Sequence, residues 1–344
     1  MSDRTFLKWI SEETATTWWN DSGIPEEISR ALDEGAVGVT TNPVLSYRAL
    51  STLKEPWKEE IKEAIQGRTG PDKATALTGV VVKKAAAMLH PVFRRTDGRS
   101  GYVCSQVDPS ATTDRDVMLK TAVTMSSVAE NVSVKLPATA AGLDVMEEAV
   151  CRGMHVTMTV SFTLPQVLAI AERYRKARKK AEASAVKPGT CYAVVMIGRL
   201  DDYLRDVAAD MKADIDESDI TRAGLAVVKR AYGIYKKEDY KAELIIAAMR
   251  GPYHTTELAG SGMVMSIHPK HQAPLMDPAL PKEELIDKPV NPASVEKLLK
   301  IPEFVRAYEP DGMKPEEFLS FGAEQRTLTQ FSEAGWKLLE GFEL

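Results

Sequence analysis

The feature that most constrains the fold of this sequence is a regular alternation of short apolar, β-branched runs with longer segments of helical periodicity. Eight runs are predicted to be strands: Thr16–Asn20, Val37–Thr41, Tyr102–Val107, Val132–Leu136, Val156–Val160, Ala193–Ile197, Leu244–Ala248 and Met263–Ile267. The clearest helical segments are 26–34, 114–130, 141–152 and 164–180. Because apolar strands that alternate with helices indicate a covered parallel sheet, we expect an α/β fold, a (β/α)8 TIM barrel. An open doubly wound sheet has the same pattern and stays an alternative.

Two regions extend beyond this repeating pattern. Ser46–Val92 is too long for a single crossover and is predicted to be a helical insert. The chain becomes rich in proline after Pro269, and residues 275–344 are predicted to be a helical C-terminal extension. Since barrels that carry insertions reach this length, we assign residues 1–344 to one barrel domain.

Composition and charge exclude several classes of protein. Hydrophobic residues make up 44% of the chain and charged residues 27%, as in globular proteins with a sizeable core. The formal net charge is −5, which gives no electrostatic reason to expect nucleic-acid binding. The one basic run, Arg173–Lys180, has no interleaved aromatic residue beyond Tyr174 and is interpreted as a solvated helix face.

The cysteines and the N-terminus predict where the protein works. Cys104, Cys151 and Cys191 are far apart and show no CxxC spacing, which indicates free thiols in a reducing compartment. The N-terminal residues carry charges where a signal peptide needs an apolar run. No stretch approaches the roughly 20 apolar residues of a membrane span. We therefore predict a cytoplasmic protein with no membrane partner.

Lys135 is the sharpest single chemical feature. It lies in the run Val132–Leu136, which Pro137 helps to end, and so it falls near the carboxyl end of a strand. Barrel enzymes build their active sites at that end. An amine placed there is desolvated, which makes its neutral, nucleophilic form more accessible. For a lysine considered alone, a side chain that extends from a strand end into solvent is the commoner explanation.

Two other predicted strands end in small polar residues. The segment 38–43 reads GVTTNP, in which Asn42 is suited to satisfy the backbone of the turn. In the predicted strand Val156–Val160, Thr157 and Thr159 are two residues apart and so lie on the same face. Their hydroxyls could orient a water or a substrate hydroxyl, or they could simply be β-forming residues at a wet end of the barrel.

Five segments, taken in order, resemble the motifs of the transaldolase family, which is related to the fructose-6-phosphate aldolases. Residues 38–43 resemble GVTTNP, 134–139 resemble VKIPAT, 157–162 resemble NLTLLF, 197–202 resemble VGRIxD and 248–250 resemble ASFR. Their order and approximate spacing hold from Trp18 to Lys270, which is most of the chain. The segment 46–92 and both tails lie outside the resemblance.

The resemblance implies a Schiff-base transferase of carbohydrate metabolism, in the pentose phosphate pathway. The amine of Lys135 would attack the C2 carbonyl of a ketose phosphate, lose water and form an imine. The imine would act as the electron sink for cleavage of the C3–C4 bond, and a dihydroxyacetone unit would stay on the lysine until an aldose acceptor takes it. The lysine supplies the electrophile, so no metal or organic cofactor is implied. His268 and His271 lack a nearby carboxylate or cysteine cluster in the sequence and are interpreted as a solvated strand exit.

The family uses an aspartate at the end of its first strand as the general base. An ungapped count back from Asn42 puts Asn20 at that position, and one gap puts Asp21 there, followed by the small residue Ser22. We favour Asp21, because an amide cannot accept the proton of the C4 hydroxyl.

The resemblance assigns the other site residues by position. Gln106 and Thr159 are expected to hold the catalytic water. Arg199 and Arg250 match the two phosphate-binding arginines, and guanidinium groups suit that role. The remaining substrate-binding candidates are Thr41, Asn42, Thr157, Met196, Ser266 and Asn20.

Three positions depart from the transaldolase pattern. Gln106 stands where transaldolases carry glutamate and the related aldolases carry glutamine. Met196 replaces the phenylalanine or tyrosine of the two groups, and Val194 replaces a serine. Since the loss of a polar group from a recognition site alters substrate preference more readily than it abolishes chemistry, we expect Schiff-base chemistry on an unusual sugar.

Two rival functions stay open at this point. An aldolase that releases free dihydroxyacetone is favoured by Gln106 but not by Met196, which has no hydroxyl. A non-catalytic paralogue that only binds sugar phosphates would be favoured if Asn20 held the general-base position, but a pure binder does not need Lys135. The resemblance also implies a homo-oligomer formed through terminal helices.

Overall fold

The computed structural model describes residues 4–344 and contains a curled sheet of seven parallel strands. The strands are β1 (Thr17–Asn20), β2 (Val103–Gln106), β3 (Val132–Pro137), β4 (His155–Thr159), β5 (Cys191–Met196), β6 (Glu243–Ala247) and β7 (Val264–Ile267). Their order in the sheet is β1-β7-β6-β5-β4-β3-β2. Each strand overlaps a predicted one, so the alternation of apolar runs and helices identified the strands of an α/β fold.

Helices connect the strands and cover the sheet. They are α1 (Phe6–Glu13), α2 (Pro25–Asp33), α3 (Pro43–Thr52), α4 (Lys58–Ile65), α5 (Gly70–Arg95), α6 (Arg115–Ser126), α7 (Ala140–Cys151), α8 (Leu164–Ala183), α9 (Ile197–Asp210), α10 (Glu217–Ile220), α11 (Ala223–Lys237), α12 (Tyr253–Thr256), α13 (Pro269–Gln272), α14 (Pro292–Leu298), α15 (Pro302–Tyr308), α16 (Pro315–Phe318), α17 (Gly322–Phe331) and α18 (Lys337–Glu340). A 3₁₀ turn (Ala273–Met276) follows α13, and a π-helical turn (Ser332–Trp336) joins α17 to α18. Side-chain caps by Asp114, Thr139 and Thr163 begin α6, α7 and α8.

The sheet curls around an enclosed inner face. Trp19 on β1 and Tyr192 on β5 contact each other with ring centroids 4.9 Å apart, although β7 and β6 separate their strands within the sheet. The ring of Tyr102, just before β2, is also 5.8 Å from that of Tyr192. Contacts between strands that are distant in the sheet require a barrel-like curvature, and they fill the interior near one end.

Residues 37–41 lie between the two edge strands but do not form the predicted regular strand. Val39 makes isolated parallel bridges to Asn20 of β1 and to Val103 of β2. The expected strand at Val37–Thr41 is therefore wrong in extent, and the sheet has seven regular strands instead of eight. Gly38 lies so close to the Trp19 ring that a Cβ there would be 2.4 Å from it. The chain enters α3 at Pro43, which leaves no length for a longer ladder.

Helix α5 is the one helix within residues 4–344 that is long and apolar enough to cross a membrane. Its apolar side chains are used in packing. Val82 and Ala85 belong to the main core, whereas Leu77 and Val81 belong to a second cluster that includes Trp336 near the C-terminus. The length and the apolar composition of α5 are therefore those of a core helix that buries two of its faces.

The last helices reach the carboxyl ends of the strands. Gly335 in the π-helical turn lies so close to the start of α3 that a Cβ there would be 2.6 Å from the backbone nitrogen of Val44. Helix α17 contacts α9, which follows β5 directly. Because α3 and α9 begin where residues 37–41 and β5 end, the C-terminal helices lie beside the strand ends. The assignment of 46–92 as an insert and 275–344 as an extension stays a prediction.

Candidate active site

Lys135 is buried on the inner face of the sheet. It pairs in register with Gln106 of β2 on one side and with Thr157 of β4 on the other. Its side chain is only 6% exposed, and its Nζ donates to the main-chain oxygen of Thr41 at 3.0 Å. Within residues 4–344 it forms no salt bridge. A buried amine whose contact is a neutral carbonyl is placed to react as a nucleophile once neutral.

The hydroxyl of Thr157 is used within the protein. It is 2.7 Å from Ser133 Oγ and 3.4 Å from Cys104 Sγ. Burial raises the pKa of the Cys104 thiol, while the nearby charge of Lys135 lowers it. These small polar groups are therefore bonded to one another on the side of Lys135 toward the start of β3.

Gln106 and Thr159 each carry a buried polar atom with no partner in the protein. The atoms are Gln106 Oε1 and Thr159 Oγ1, on residues that are 3% and 1% exposed. Both residues share the inner face with Lys135, because Gln106 is its register partner and Thr159 lies two residues beyond Thr157. Buried polar atoms normally have a partner, so this pair marks a place suited to a small polar ligand such as water.

The backbone just after Thr159 is strained. Val160 has a φ of 52°, and Ala248, just after β6, has a φ of 58°. A β-branched residue in the left-handed region is a genuine outlier. Such conformations persist only where the surroundings hold them, and they concentrate at functional sites. Both lie at the carboxyl ends of strands, beside the candidate site.

Register pairing places Asp21 and Asn20 on opposite faces of the sheet. Paired residues share a face, and so do residues two apart on one strand. From Lys135, register pairs lead to Thr157 on β4 and then to Tyr192 on β5, and Val194 lies two residues further along β5 on the same face. From Val194, register pairs lead to Ile245 on β6, Val264 on β7 and Thr17 on β1. From Thr17, alternation places Trp19 and then Asp21 on the inner face. Asn20 falls on the outer face.

Hydrogen bonds agree with this placement. The hydroxyl of Thr40 donates to Asp21 Oδ1 at 2.6 Å and lies 2.6 Å from Ser266 Oγ. The amide of Asn20 is occupied elsewhere: its Nδ2 donates to the oxygen of Ser22 at 3.1 Å, and its Oδ1 accepts from Gln272 Nε2 at 2.8 Å. The structure thus brings Asp21, Thr40 and Ser266 together at the inner face and leaves Asn20 outside it.

Asp21 and Lys135 act on the same interior volume. The Asp21 carboxylate raises the pKa of the buried Cys104 thiol, whereas the Lys135 ammonium lowers it. Both charges therefore lie within electrostatic reach of one sulfur atom. Thr40 was not among the predicted site residues, although its place beside Thr41 in the GVTTNP-like segment was a usable signal.

Arg199 is a cation without an anionic partner. It lies in the first turn of α9, where its Nη1 donates to Thr327 Oγ1 at 3.3 Å and its guanidinium carbon lies 5.3 Å from the Phe331 ring centroid. It has no salt bridge within residues 4–344. Burial and the nearby Arg250 lower its pKa to about 10. A desolvated guanidinium of this kind is suited to bind a phosphate.

Arg250, in contrast, is exposed and already paired. Its Nε and Nη2 donate to Asp202 Oδ2 at 2.8 and 2.7 Å, and its Nη1 donates to the oxygen of Ala248 at 2.8 Å. A Cβ at Gly198 would lie 2.4 Å from its Cγ, so the glycine makes room for this side chain. The two predicted phosphate ligands therefore differ: only Arg199 has an unbalanced charge.

The other predicted ligands have structural partners. Asn42 caps α3, its side chain accepting from the backbone nitrogen of Leu45 at 3.0 Å. The Thr41 hydroxyl donates to the oxygen of Cys104 at 2.7 Å. Met196 ends β5, 6% exposed, and together with Val194 it shares the inner face with Lys135. Their substrate contacts stay predictions.

A cavity on the outer side of the sheet is not part of this arrangement, whereas His268 lies near it: burial lowers the pKa of the His268 imidazole and the nearby charge of Asp21 raises it. A cavity of about 810 Å³ opens between α4, α5 and α6, on the outer side of the sheet, and Lys135 does not line it. His268 Nε2 lies 3.3 Å from the guanidinium of Arg48. Within residues 4–344, no group of three or more histidine, cysteine or acidic side chains is arranged to hold a metal ion.

Comparison with known proteins gives the class to which this fold and site belong. The sequence profile of the transaldolase/fructose-6-phosphate aldolase family matches residues 18–317, and the chain belongs to this family. The resemblance inferred from the five motifs is thereby confirmed.

Several curated relatives carry the name transaldolase. Transaldolase 1 of Streptomyces avermitilis is 28% identical over 241 residues, 67% of this chain and 64% of that protein. Transaldolase 1 of Streptomyces coelicolor is 27% identical over 242 residues, 67% of this chain and 63% of that protein. The transaldolase of Kocuria rhizophila is 28% identical over 243 residues, 66% of this chain and 64% of that protein. The match thus spans slightly less than two thirds of these relatives' length.

Proposed function

We propose that this chain is a transaldolase-type transferase, which moves a dihydroxyacetone unit from a ketose phosphate to an aldose or aldose phosphate through a Schiff base on Lys135. The observation that carries the proposal is the buried Lys135 amine, which donates to a carbonyl oxygen at 3.0 Å and shares the inner face with Gln106, Thr159 and Asp21. Family membership and the transaldolase names of the relatives support it.

In the proposed reaction, Lys135 adds to the C2 carbonyl of the donor, and loss of water gives the imine. Asp21 takes the proton from the C4 hydroxyl, the C3–C4 bond breaks, and the imine accepts the electron pair as an enamine. Thr40 orients the Asp21 carboxylate by its hydrogen bond. Gln106 and Thr159 hold the water that is released and later consumed, and Arg199 binds the donor phosphate.

An aldolase that releases free dihydroxyacetone is the second candidate, and Gln106 favours it. The amide can hold a water with Thr159 but cannot shuttle its proton, in contrast to a glutamate. The non-catalytic alternative is weakened by the inner-face position of Asp21, which supplies the base that Asn20 could not.

The proposal has consequences for the fold and the partners. We interpret the bridges at Val39 as the closure of a (β/α)8 barrel, in which residues 37–41 replace one regular strand. We also propose that the protein works in the cytoplasm, that its ligands are sugar phosphates rather than nucleic acids or membranes, and that it forms homo-oligomers.

A coupled assay tests the function. Fructose 6-phosphate is supplied as donor with and without erythrose 4-phosphate as acceptor, because the donor itself releases glyceraldehyde 3-phosphate and that aldehyde would only regenerate it. Wild type is compared with Lys135→Ala and Lys229→Gln. Lys229 is a matched control. It is a partly buried lysine on α11 that, like Lys135, donates to main-chain oxygen, at 2.8 Å to Leu285 and 2.6 Å to Lys288.

A transferase turns the donor over only when the acceptor is present, and only Lys135→Ala abolishes turnover. Release of dihydroxyacetone without acceptor would assign the aldolase reaction instead. Equal activity of wild type and Lys135→Ala would exclude both reactions.

A further inference from the structure

Glu324 is a fully buried carboxyl that the proposed reaction does not use. It lies on α17 with an exposed fraction of 0%. Its Oε2 accepts a hydrogen bond from Gln166 Nε2 at 2.7 Å, and its Oε1 has no partner in the protein. Within residues 4–344 it forms no salt bridge. Burial raises the pKa of this carboxyl well above its ordinary value. A buried acid without a cation is costly unless the contact that it makes is needed.

Gln166 connects Glu324 to the loop that follows β4. Its Oε1 accepts from the backbone nitrogen of Phe162 and from Thr163 Oγ1, each at 2.9 Å. Its Nε2 also donates to the main-chain oxygen of Val160 at 3.3 Å. One amide group therefore bonds to three residues of the loop 160–163, and Glu324 holds that amide from the opposite side.

This loop begins directly after Thr159 and is held in a strained form. Val160 has a φ of 52°, a conformation that a β-branched residue keeps only when its surroundings impose it. Ser161 ties the loop to β5 as well, since its hydroxyl donates to the oxygen of Val194 at 2.6 Å and its own oxygen accepts from the backbone nitrogen of Met196 at 2.8 Å. The position of Thr159 thus depends on contacts beyond the strand.

The same face of α17 also reaches Arg199. Residues 324, 327 and 331 follow helical spacing and lie on one side of the helix. Thr327 Oγ1 accepts from Arg199 Nη1 at 3.3 Å, and the ring of Phe331 lies 5.3 Å from the Arg199 guanidinium carbon. Helix α17 therefore contacts the β4 loop and the candidate phosphate ligand at once.

We propose that Glu324 is a positioning residue: through Gln166 it holds the loop 160–163 and so places Thr159 beside Lys135 for the reaction. The inference rests on the proposed function. Glu324 acts through Gln166 and does not touch the substrate. Because Gln166 supplies a donor, the carboxyl must supply an acceptor oxygen, and a neutral amide can do the same.

The test compares Glu324→Leu with Glu324→Gln. The leucine keeps most of the volume and removes the acceptor, whereas the glutamine keeps both. With Thr159 displaced, we expect Glu324→Leu to lower kcat for donor cleavage about tenfold or more with little change in KM, and Glu324→Gln to recover most of kcat. Gln325→Leu is the control, because Gln325 is the next residue of α17 and is exposed.

The outcomes separate the two proposals. Unchanged kcat and KM in a folded Glu324→Leu, beside an active wild type, would overturn the positioning role and leave the proposed function standing. Absence of activity in wild type would count against the function itself. If Glu324→Leu does not fold, Glu324→Asp replaces it, since the shorter side chain draws the acceptor away from Gln166. Equal kcat in the aspartate and glutamine variants would then also overturn the proposal.

Discussion

Asp21 and Lys135 lie on the same face of the sheet, linked by the register of every strand between them, and their opposite charges shift the pKa of one buried thiol, Cys104, in opposite directions. The proposed nucleophile on β3 and the proposed base at the end of β1 therefore face the same interior of the curled sheet. This relationship supports the proposal that a Schiff base and the proton transfer that follows it occur at one bound sugar.

The first prediction concerns the base. Asp21→Asn keeps the shape of the side chain but cannot accept the C4 proton, so we expect kcat to fall by about a hundredfold or more. The imine should still form, because Lys135 is untouched, and borohydride should trap an adduct of the whole donor. Stopped-flow turnover and intact-mass measurements check the two parts.

The matching change at the neighbouring residue should behave differently. Asn20→Ala removes hydrogen bonds to Ser22 and Gln272 on the outer face. We expect a loss of about 1–3 kcal/mol in the free energy of unfolding, with a much smaller effect on kcat than Asp21→Asn. The reverse ranking of the two kcat values would refute the assignment of Asp21 as the general base.

The second prediction concerns phosphate recognition. Arg199→Gln removes an unpaired guanidinium, whereas Arg250→Gln removes one whose charge Asp202 already balances at 2.7 Å. We expect KM for fructose 6-phosphate to rise about tenfold to a hundredfold in Arg199→Gln and clearly less in Arg250→Gln. Unphosphorylated fructose serves as the control donor, for which neither change should matter. Equal effects of both variants on KM would refute the assignment.

The third prediction concerns the sugar that the site accepts. Gln106 and Val194 each replace a residue that transaldolases carry, and both share the inner face of the sheet with Lys135, Gln106 as its register partner and Val194 on β5. We expect Gln106→Glu to raise transfer to an acceptor relative to release of dihydroxyacetone, because glutamate can shuttle the water proton. Val194→Ser should raise turnover of sedoheptulose 7-phosphate by restoring a polar contact. Rates with that sugar that neither change affects would contradict the idea of altered preference.

The fourth prediction is a dependence of stability on pH. Burial raises the pKa of Glu324 above its ordinary value of 4.5. A raised pKa in the folded state means that the protonated carboxyl stabilises the fold. Its contribution is complete below the unfolded pKa and is lost as the pH rises through the folded pKa. Thermal unfolding of wild type and Glu324→Gln across pH checks this. Wild type should lose stability relative to the glutamine variant as the pH rises, and a constant difference would contradict it.

Much of the fold could be predicted from the sequence because each strand is a local apolar run. Residues 37–41 were the exception. They have the composition of a strand, but Gly38 packs against Trp19 and Pro43 begins a helix, so only Val39 bridges its neighbours. Contacts of that kind depend on the tertiary structure and leave no local pattern.

The candidate site was predictable in its residue types but not in its pairings. Position 20 or 21 could not be chosen by counting, because the place of a gap is invisible in one sequence, whereas strand register places Asp21 on the inner face with Lys135. Arg199 and Arg250 matched the family equally well, and they are distinguished by the burial of Arg199 and by the contact of Arg250 with Asp202. Glu324 was missed altogether, since its partner Gln166 lies 158 residues away in the chain.

Borohydride trapping with site mapping tests whether Lys135 forms the Schiff base. Wild type, Lys135→Ala and Lys229→Gln are incubated with fructose 6-phosphate, reduced, weighed intact and then digested for peptide mass analysis. We predict a reduced dihydroxyacetone adduct on Lys135 in wild type and in Lys229→Gln, and none in Lys135→Ala. An adduct on another lysine, or an equal adduct in Lys135→Ala, would contradict the assignment of Lys135 as the Schiff-base nucleophile.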